Sequence, residues 1–346
     1  MIKTATDFVE PERRTTAGRW GLVLGVTVSL ICLVLVTRKV EWPLLLPTLR
    51  HVRPVPFCAG IAGTMATFIV IAYRWHLLLG NVCAVSVSDS FDFTMIGYLA
   101  GLIVPARLGD LAKVVLVARQ SRTSRTAVLG TVVLERLCDI IMLLILAGIF
   151  AALLKLSVLL GAALLVLAAA TLIAVAALWT GPKLWHQLLS PVLRRLPDRM
   201  ARTAAALIAK FSTGVDVSNQ RRTGAALLVS VLLWVLSGAS MSAYAAAFPL
   251  TLPWYAGFLI ILFTNLAGIL PASPGGVGVY HYMSVLAVTV WTSDSTTALA
   301  LAIVTHAVAM FLVTLTGAWG LARQELSFRA LRESSRGATA GPDRMS

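Results

Sequence analysis

Three clusters of ionisable and loop-forming residues interrupt an otherwise apolar chain, and their spacing limits the chemistry each can support. The first is Pro105-Ala106-Arg107-Leu108-Gly109-Asp110-Leu111-Ala112-Lys113. Proline and glycine end one helix there and permit a tight turn into the next. A guanidinium at such a break can hold a phosphate through two parallel N–H donors, which a lysine ammonium cannot do. Arg107 is therefore expected to bind an anionic group. Asp110 falls in the first turn of the following helix, where a carboxylate offsets the positive end of the helix dipole. Lys113 lies three residues further on, on the same face. For this pair, helix capping plus a local ion pair is as good a reading as a ligand role.

The second cluster is Glu135-Arg136-Leu137-Cys138-Asp139, which begins about 12 Å into an apolar run at 1.5 Å per residue. Glu135 and Asp139 are four apart and Arg136 and Asp139 three apart, so an ion cluster facing a bundle interior is expected. Charges at that depth are costly and mark function by default. An ion pair locking this helix to the Arg107 turn is a compatible structural reading. The third cluster is Pro271-Ala272-Ser273-Pro274-Gly275-Gly276-Val277-Gly278-Val279-Tyr280-His281. Ser273 before Pro274 is expected to start a helix, and Gly275, Gly276 and Gly278 leave backbone N–H groups open to an anionic headgroup. Close helix packing is the other reason for three glycines. His281 is expected near the outer mouth of a cavity, where its charge can switch around a reference pKa of about 6.5. His281 and His306 are both read as hydrogen-bonded interior histidines rather than metal ligands.

Composition defines what must position these groups. The 346 residues are 58% hydrophobic and 13% charged, with a mean hydropathy of +0.85. Soluble domains carry roughly 25% charged residues, so the chain is an integral membrane protein and a cytosolic enzyme is excluded. The formal charge of +14 is assigned to membrane topology and anionic lipid, not to nucleic acid. Cys32, Cys58, Cys83 and Cys138 have no CxxC spacing, so neither a metal site nor a disulfide framework is read. No cofactor is expected.

Spans need about 20 apolar residues, and six runs qualify: 20–37, 55–79, 127–154, 156–179, 223–247 and 298–321. Two runs, 91–104 and 256–270, are too short to cross; helix signals resume at 108–120 and 278–292. This pattern predicts two re-entrant half-helix hairpins, tolerated where broken backbone is buried or lines a cavity. Leu99-Ala100-Gly101-Leu102-Ile103-Val104-Pro105 returns one residue shorter as Leu266-Ala267-Gly268-Ile269-Leu270-Pro271, which suggests an inverted repeat with its site at the midplane. The expected organisation is a cytoplasmic segment 1–19, one membrane domain 20–321 with repeats 20–154 and 156–321, and a disordered cytoplasmic tail 322–346. Cations concentrate in 1–19, 105–126, 180–222 and the tail, which places both termini in the cytoplasm. Segment 38–54, with Arg38, Lys39, Arg50 and Arg53, is the exception. Trp20, Trp75, Trp179, Trp254, Trp291 and Trp319 lie near predicted span ends, as an aromatic belt requires.

The PxRxGDxxK turn, the ERxxD segment and the later PxSPGGxG loop, in this order, resemble the lysylphosphatidylglycerol synthase transmembrane-domain family, also called the flippase-like domain. The resemblance covers roughly residues 20 to 320. It implies a lipid-handling inner-membrane domain with two re-entrant hairpins, found alone or fused to soluble transferases. In bifunctional members this part carries aminoacylated phosphatidylglycerol to the outer leaflet; related proteins occur near hopanoid or glycolipid pathways. Asp110 stands where Glu is common, Lys113 where Arg is common, and His281 where the pattern usually ends in Glu. Loss of that last acid argues against a cationic aminoacyl headgroup, and the aminoacyl-transferase domain is not in this sequence. The expectation is a non-enzymatic translocator of a phospholipid or related polar lipid, with anionic or neutral headgroups favoured. Lipid presentation to a separate transferase is the first alternative. Intramembrane lipid modification using Glu135, Asp139 and His281 is the last, because no nucleophile–base pairing supports it.

Overall fold

The computed structural model describes residues 16–38, 40–103, 109–155, 166–167, 169–171, 198–215, 220–268 and 272–324. Among these, every regular element is helical: α1 (Thr16–Thr37), α2 (Trp42–Arg50), α3 (Pro54–Leu79), α4 (Val87–Ile103), α5 (Gly109–Gln120), α6 (Arg125–Leu153), α7 (Asp198–Gly214), α8 (Gln220–Ala247), α9 (Ala256–Ala267), α10 (Val279–Val288) and α11 (Ser295–Arg323). Helices α3, α6, α8 and α11 are long and apolar enough to cross a membrane, and the α1–α2 pair, bent by 84°, is a fifth candidate. The expected span 156–179 falls almost wholly outside the described residues, as do Arg107, Pro271 and the tail after Gln324.

The outer faces of these helices explain the composition. Leu228, Val231, Leu232 and Val235 of α8, Ile145 and Ile149 of α6, and Phe311, Leu315 and Trp319 of α11 are all exposed. Leaving such side chains in water forfeits about 1.5–3 kcal/mol each; hydrocarbon removes that cost. The chain is a multi-pass membrane protein. Because lipid supplies no hydrophobic drive between helices, contacts rest on small residues and hydroxyls. Helices α3 and α8 pack this way: Ser240 Oγ donates to the Gly60 carbonyl at 2.7 Å, and Thr64 Oγ1 lies 3.1 Å from both Ser240 Oγ and Tyr244 Oη. Each such bond contributes about 0.6 kcal/mol.

Helices α3 and α8 are antiparallel, with Arg222 of α8 beside Gly80 and the Arg53 amide donating to Ala247 O at 2.8 Å. The two short-helix pairs open at opposite ends of that axis. Helix α4 starts where α11 ends, with Gln324 Nε2 donating to Asp89 at 2.8 Å and Asp92 at 3.1 Å. Helix α5 returns to the same end and leads through 121–124 into α6. Helix α9 starts at the other end, after α8, and Tyr255 there packs against Trp291 beyond α10, with 6.1 Å between ring centroids. Helix α4 packs on α11 and α9 on α6, while the Pro274–Gly276 turn touches α4.

Segment 38–54 is tied to the α8 C-terminal end. The Arg53 guanidinium also donates to Ala246 O, and the Glu41 amide donates to Thr296 Oγ1 at 2.9 Å. Arg38, Arg50 and Arg53 therefore share an end with 248–256 and 293–297, and Arg53 has a local reason to be there, capping the negative end of α8.

One sequence expectation is corrected. No α-helix starts at Ser273-Pro274; a single 3₁₀ turn, Pro274–Gly276, is followed by α10 from Val279. Gly275, Gly276 and Gly278 have φ of +72°, +71° and +91°, and left-handed residues cannot propagate a right-handed helix. Gly278 is also constrained sterically, since a Cβ there would lie 2.3 Å from the Ser29 carbonyl of α1. Ser29 Oγ accepts from the Ser273 amide at 2.8 Å, so α1 holds this turn.

Candidate functional site: an intramembrane ring of ions

The α4–α5 hairpin is closed by glycine. A Cβ on Gly109 would lie 2.2 Å from Gly97 O and 3.0 Å from the Gly101 amide nitrogen, so the backbones meet where only hydrogen fits. The stem of Lys113 passes Gly97 one turn further along, which carries its ammonium towards α6. Helix α6 presents Glu135, Arg136 and Asp139, and α3 presents Arg74.

Together with Asp110 of α5, these five side chains form a closed circuit of alternating charge. Lys113 Nζ contacts Glu135 Oε2 at 2.7 Å; Glu135 Oε1 contacts Arg74 Nη2 at 3.2 Å; Arg74 Nη1 contacts Asp139 Oδ1 at 2.6 Å. Asp139 Oδ2 contacts Arg136 Nη1 at 3.3 Å, Arg136 Nη2 contacts Asp110 Oδ2 at 2.8 Å, and Asp110 Oδ1 returns to Lys113 at 3.5 Å. Every ion thus has two neighbours of opposite sign, and three cations balance three anions. Lys113, Glu135 and Arg74 are sealed, with side chains 0%, 1% and 2% exposed, whereas Asp139, Asp110 and Arg136 are 20%, 25% and 45% exposed. The ring therefore has a dry arc and an open arc. Ser230 Oγ of α8 accepts from Arg74 at 3.4 Å, and Tyr98 of α4 is within electrostatic reach of Glu135, Arg136, Asp110 and Asp139.

Trp75 is part of this wall, which corrects its assignment to an interfacial belt. It is fully buried; its Nε1 donates to Thr131 Oγ1 at 3.1 Å, and Lys113 Nζ sits 4.6 Å from its ring centroid. A desolvated ammonium over an indole face is stabilised by the ring quadrupole. Trp254 and Trp319, by contrast, are exposed as a belt requires.

Sequence reasoning missed Arg74. A signal existed: the ERxxD segment holds two acids and one arginine, so a further cation was owed, and Arg74 is the only Lys or Arg in the 55–79 run. The structure brings together Asp110, Lys113, Glu135, Arg136 and Asp139, with Gly109 supporting them. Arg107 lies between α4 and α5 in sequence, outside the described residues. Ser273, Pro274, Gly275, Gly276, Gly278 and His281 gather at a second place, the turn before α10. There His281 Nδ1 accepts from the Gly278 amide at 3.2 Å. The imidazole of His306 stacks on Tyr280 at 4.3 Å and lies 5.1 Å from that of His281. Tyr280 Oη is 3.3 Å from Thr305 Oγ1.

A half-exposed arginine held between two carboxylates, beside a broken-helix hairpin, suits reversible capture of a polar headgroup within a membrane domain. These features define a membrane protein with a largely buried ionic site between a short-helix pair and two long apolar helices. The chain belongs to the family described as the lysylphosphatidylglycerol synthase TM region, whose sequence profile matches residues 22–317. No curated protein and no solved structure matches it.

Proposed function

We propose that this protein moves a phospholipid or related polar lipid between the leaflets of the cell membrane, with no covalent step. The observation that carries the reading is the ionic ring: six charges inside a membrane domain, three sealed and three reachable, at the base of a hairpin. A purely structural lock has no need of an open arc, since exposed ion pairs contribute only about 0–1 kcal/mol. On this reading the α4–α5 and α9–α10 pairs are re-entrant hairpins of an inverted repeat, entering from the cytoplasmic and outer faces respectively, and both termini are cytoplasmic. Arg107, between α4 and α5 in sequence, holds the lipid phosphate, with Glu135 and Arg136 shaping the wall beside it. Membership of the family supports a lipid role, and the absence of a nucleotide motif leaves a gradient or mass action as the driving force.

The test is a leaflet-resolved assay of the purified protein in vesicles. Wild-type protein is expected to equilibrate labelled lipid between leaflets, and Arg107→Lys to impair this at equal expression and melting temperature, because charge without the planar fork is insufficient. Undiminished transport by Arg107→Ala would overturn the assignment of Arg107. Lipid binding without leaflet exchange would overturn transport in favour of lipid presentation to a separate transferase.

A further inference from the structure

The bonding of the ring selects a headgroup, given the reading that lipid docks at its open arc. Arg136 is the most exposed member and stands between Asp110 and Asp139. These two acids are not equivalent. Asp139 keeps a second cation, Arg74, at 2.6 Å. Among the described residues Asp110 has only Lys113 at 3.5 Å as its other cation, the longest contact in the ring, and Lys113 is engaged at 2.7 Å by Glu135. A phosphate that takes Arg136 therefore strands Asp110, not Asp139.

The Asp110 side chain is three-quarters buried, 25% exposed, so leaving its carboxylate without a partner carries a desolvation cost. An anionic headgroup makes that exchange with nothing to offer Asp110 and adds a negative charge to a neutral ring. A headgroup that is only cationic competes with Arg136 for its carboxylates and adds a positive one. A headgroup carrying both signs satisfies both sites, its phosphate on Arg136 and its ammonium on Asp110. Because these side chains are in contact at 2.8 Å, the phosphate and ammonium must be neighbours on the lipid, joined by a short methylene link. The ammonium must also bear N–H groups, since Asp110 is a hydrogen-bond acceptor that a quaternary amine cannot satisfy.

We propose that the open arc of this ring is a receptor for zwitterionic phospholipids of the phosphoethanolamine type, with Arg136 joining Arg107 on the phosphate and Asp110 taking the primary ammonium. Asp110 is then the residue that determines headgroup specificity. It exchanges one ion-pair partner for another when lipid binds, and the ring stays neutral throughout.

The experiment is competitive lipid binding to the purified full chain, read by native mass spectrometry. Phosphatidylethanolamine, phosphatidylglycerol and phosphatidylcholine with matched acyl chains are the probes. Wild-type protein is expected to retain phosphatidylethanolamine over each of the others by at least about tenfold, the scale of one hydrogen bond to a charged group. Asp110→Asn removes the acid that a bare phosphate would strand, so it is expected to lose this preference and turn towards phosphatidylglycerol. Asp110→Glu, which restores the charge, is expected to recover it. A wild-type protein that holds phosphatidylglycerol or phosphatidylcholine as well as phosphatidylethanolamine overturns the proposal. So does an Asp110→Asn variant with an unchanged ratio. The wild-type ratio is decisive alone, so the test stands even if Asp110→Asn does not fold. Selective binding without leaflet exchange would sustain this inference and sink translocation; leaflet exchange without selectivity would do the opposite.

Discussion

Lys113 Nζ and Glu135 Oε2 meet at 2.7 Å with both side chains sealed from solvent, and this contact fastens the short helix α5 to the long helix α6. Glu135 also receives Arg74 from α3 at 3.2 Å. A single carboxylate thus joins three helices, and the indole of Trp75 covers the ammonium from the side.

Stability should fall unevenly around the ring. Glu135→Gln leaves Lys113 and Arg74 buried with too little counter-charge and is expected to cost about 3–5 kcal/mol, the penalty for breaking a buried pair. Asp110→Asn, at the exposed edge, is expected to cost about 1 kcal/mol or less. Denaturation of both variants in one detergent checks the order; equal losses would show a ring that is solvated throughout.

Two glycines of the first hairpin should respond differently to the same substitution. Gly109→Ala places a methyl 2.2 Å from the Gly97 carbonyl, and overpacking of this kind costs about 1–3 kcal/mol. Gly101→Ala meets no neighbour closer than 4.0 Å among the described residues and is expected to stay within about 0.5 kcal/mol of wild type. Melting temperatures of the two variants decide it.

The hairpin geometry makes a labelling pattern. In a background without Cys32, Cys58, Cys83 and Cys138, cysteines replacing Ser86 and Thr123 should react with an impermeant reagent from one side of the membrane. Cysteines replacing Val52 and Thr251 should react from the other. Labelling of positions 86 and 123 from opposite sides would rule out re-entry of α4–α5.

At the second site, His281 accepts from the Gly278 amide through Nδ1, so its neutral form must carry the proton on Nε2. Nitrogen-15 spectra of labelled protein should show that tautomer near neutral pH. Acid places a proton on Nδ1 and removes the acceptor, so the turn should loosen as pH falls. His281→Glu, with a carboxylate in this position, is expected to shift headgroup preference towards cationic lipids. Leaflet exchange by wild type and His281→Glu, measured with matched lipids, would expose that shift in preference. Identical headgroup preferences would reduce His281 to packing.

What the sequence made legible was set by periodicity and local chemistry. Helices α3, α6, α8 and α11 coincide with apolar runs long enough to be unmistakable, and α4, α5, α9 and α10 follow the interruptions at Pro and Gly. The charged turn and the ERxxD segment stood out because ionised groups are rare in such runs. Arg74 did not, because an arginine within a turn of Trp75 and His76 near a helix end reads as an interfacial anchor; only the partner acids, 61 and 65 residues away, reveal its role. The same neighbourhood misled the reading of Trp75. At Ser273-Pro274 a strong local start signal was overruled by positive-φ glycines held against Ser29 of α1, a tertiary contact that no local pattern encodes.

The neutrality of the ring has an electrical consequence. Moving one elementary charge through the membrane potential involves about 2.3 kcal/mol per 100 mV, so a transporter that shifts a net-charged site is driven or stalled by voltage. Three positive and three negative groups that shift together sum to no displaced charge. If the protein is the translocator proposed above, a rocking motion that carries the ring intact, loaded with an uncharged or zwitterionic lipid, performs no work against the field. Its rate is then independent of whether the membrane is energised, and the direction of net flow is left to the lipid gradient between the leaflets.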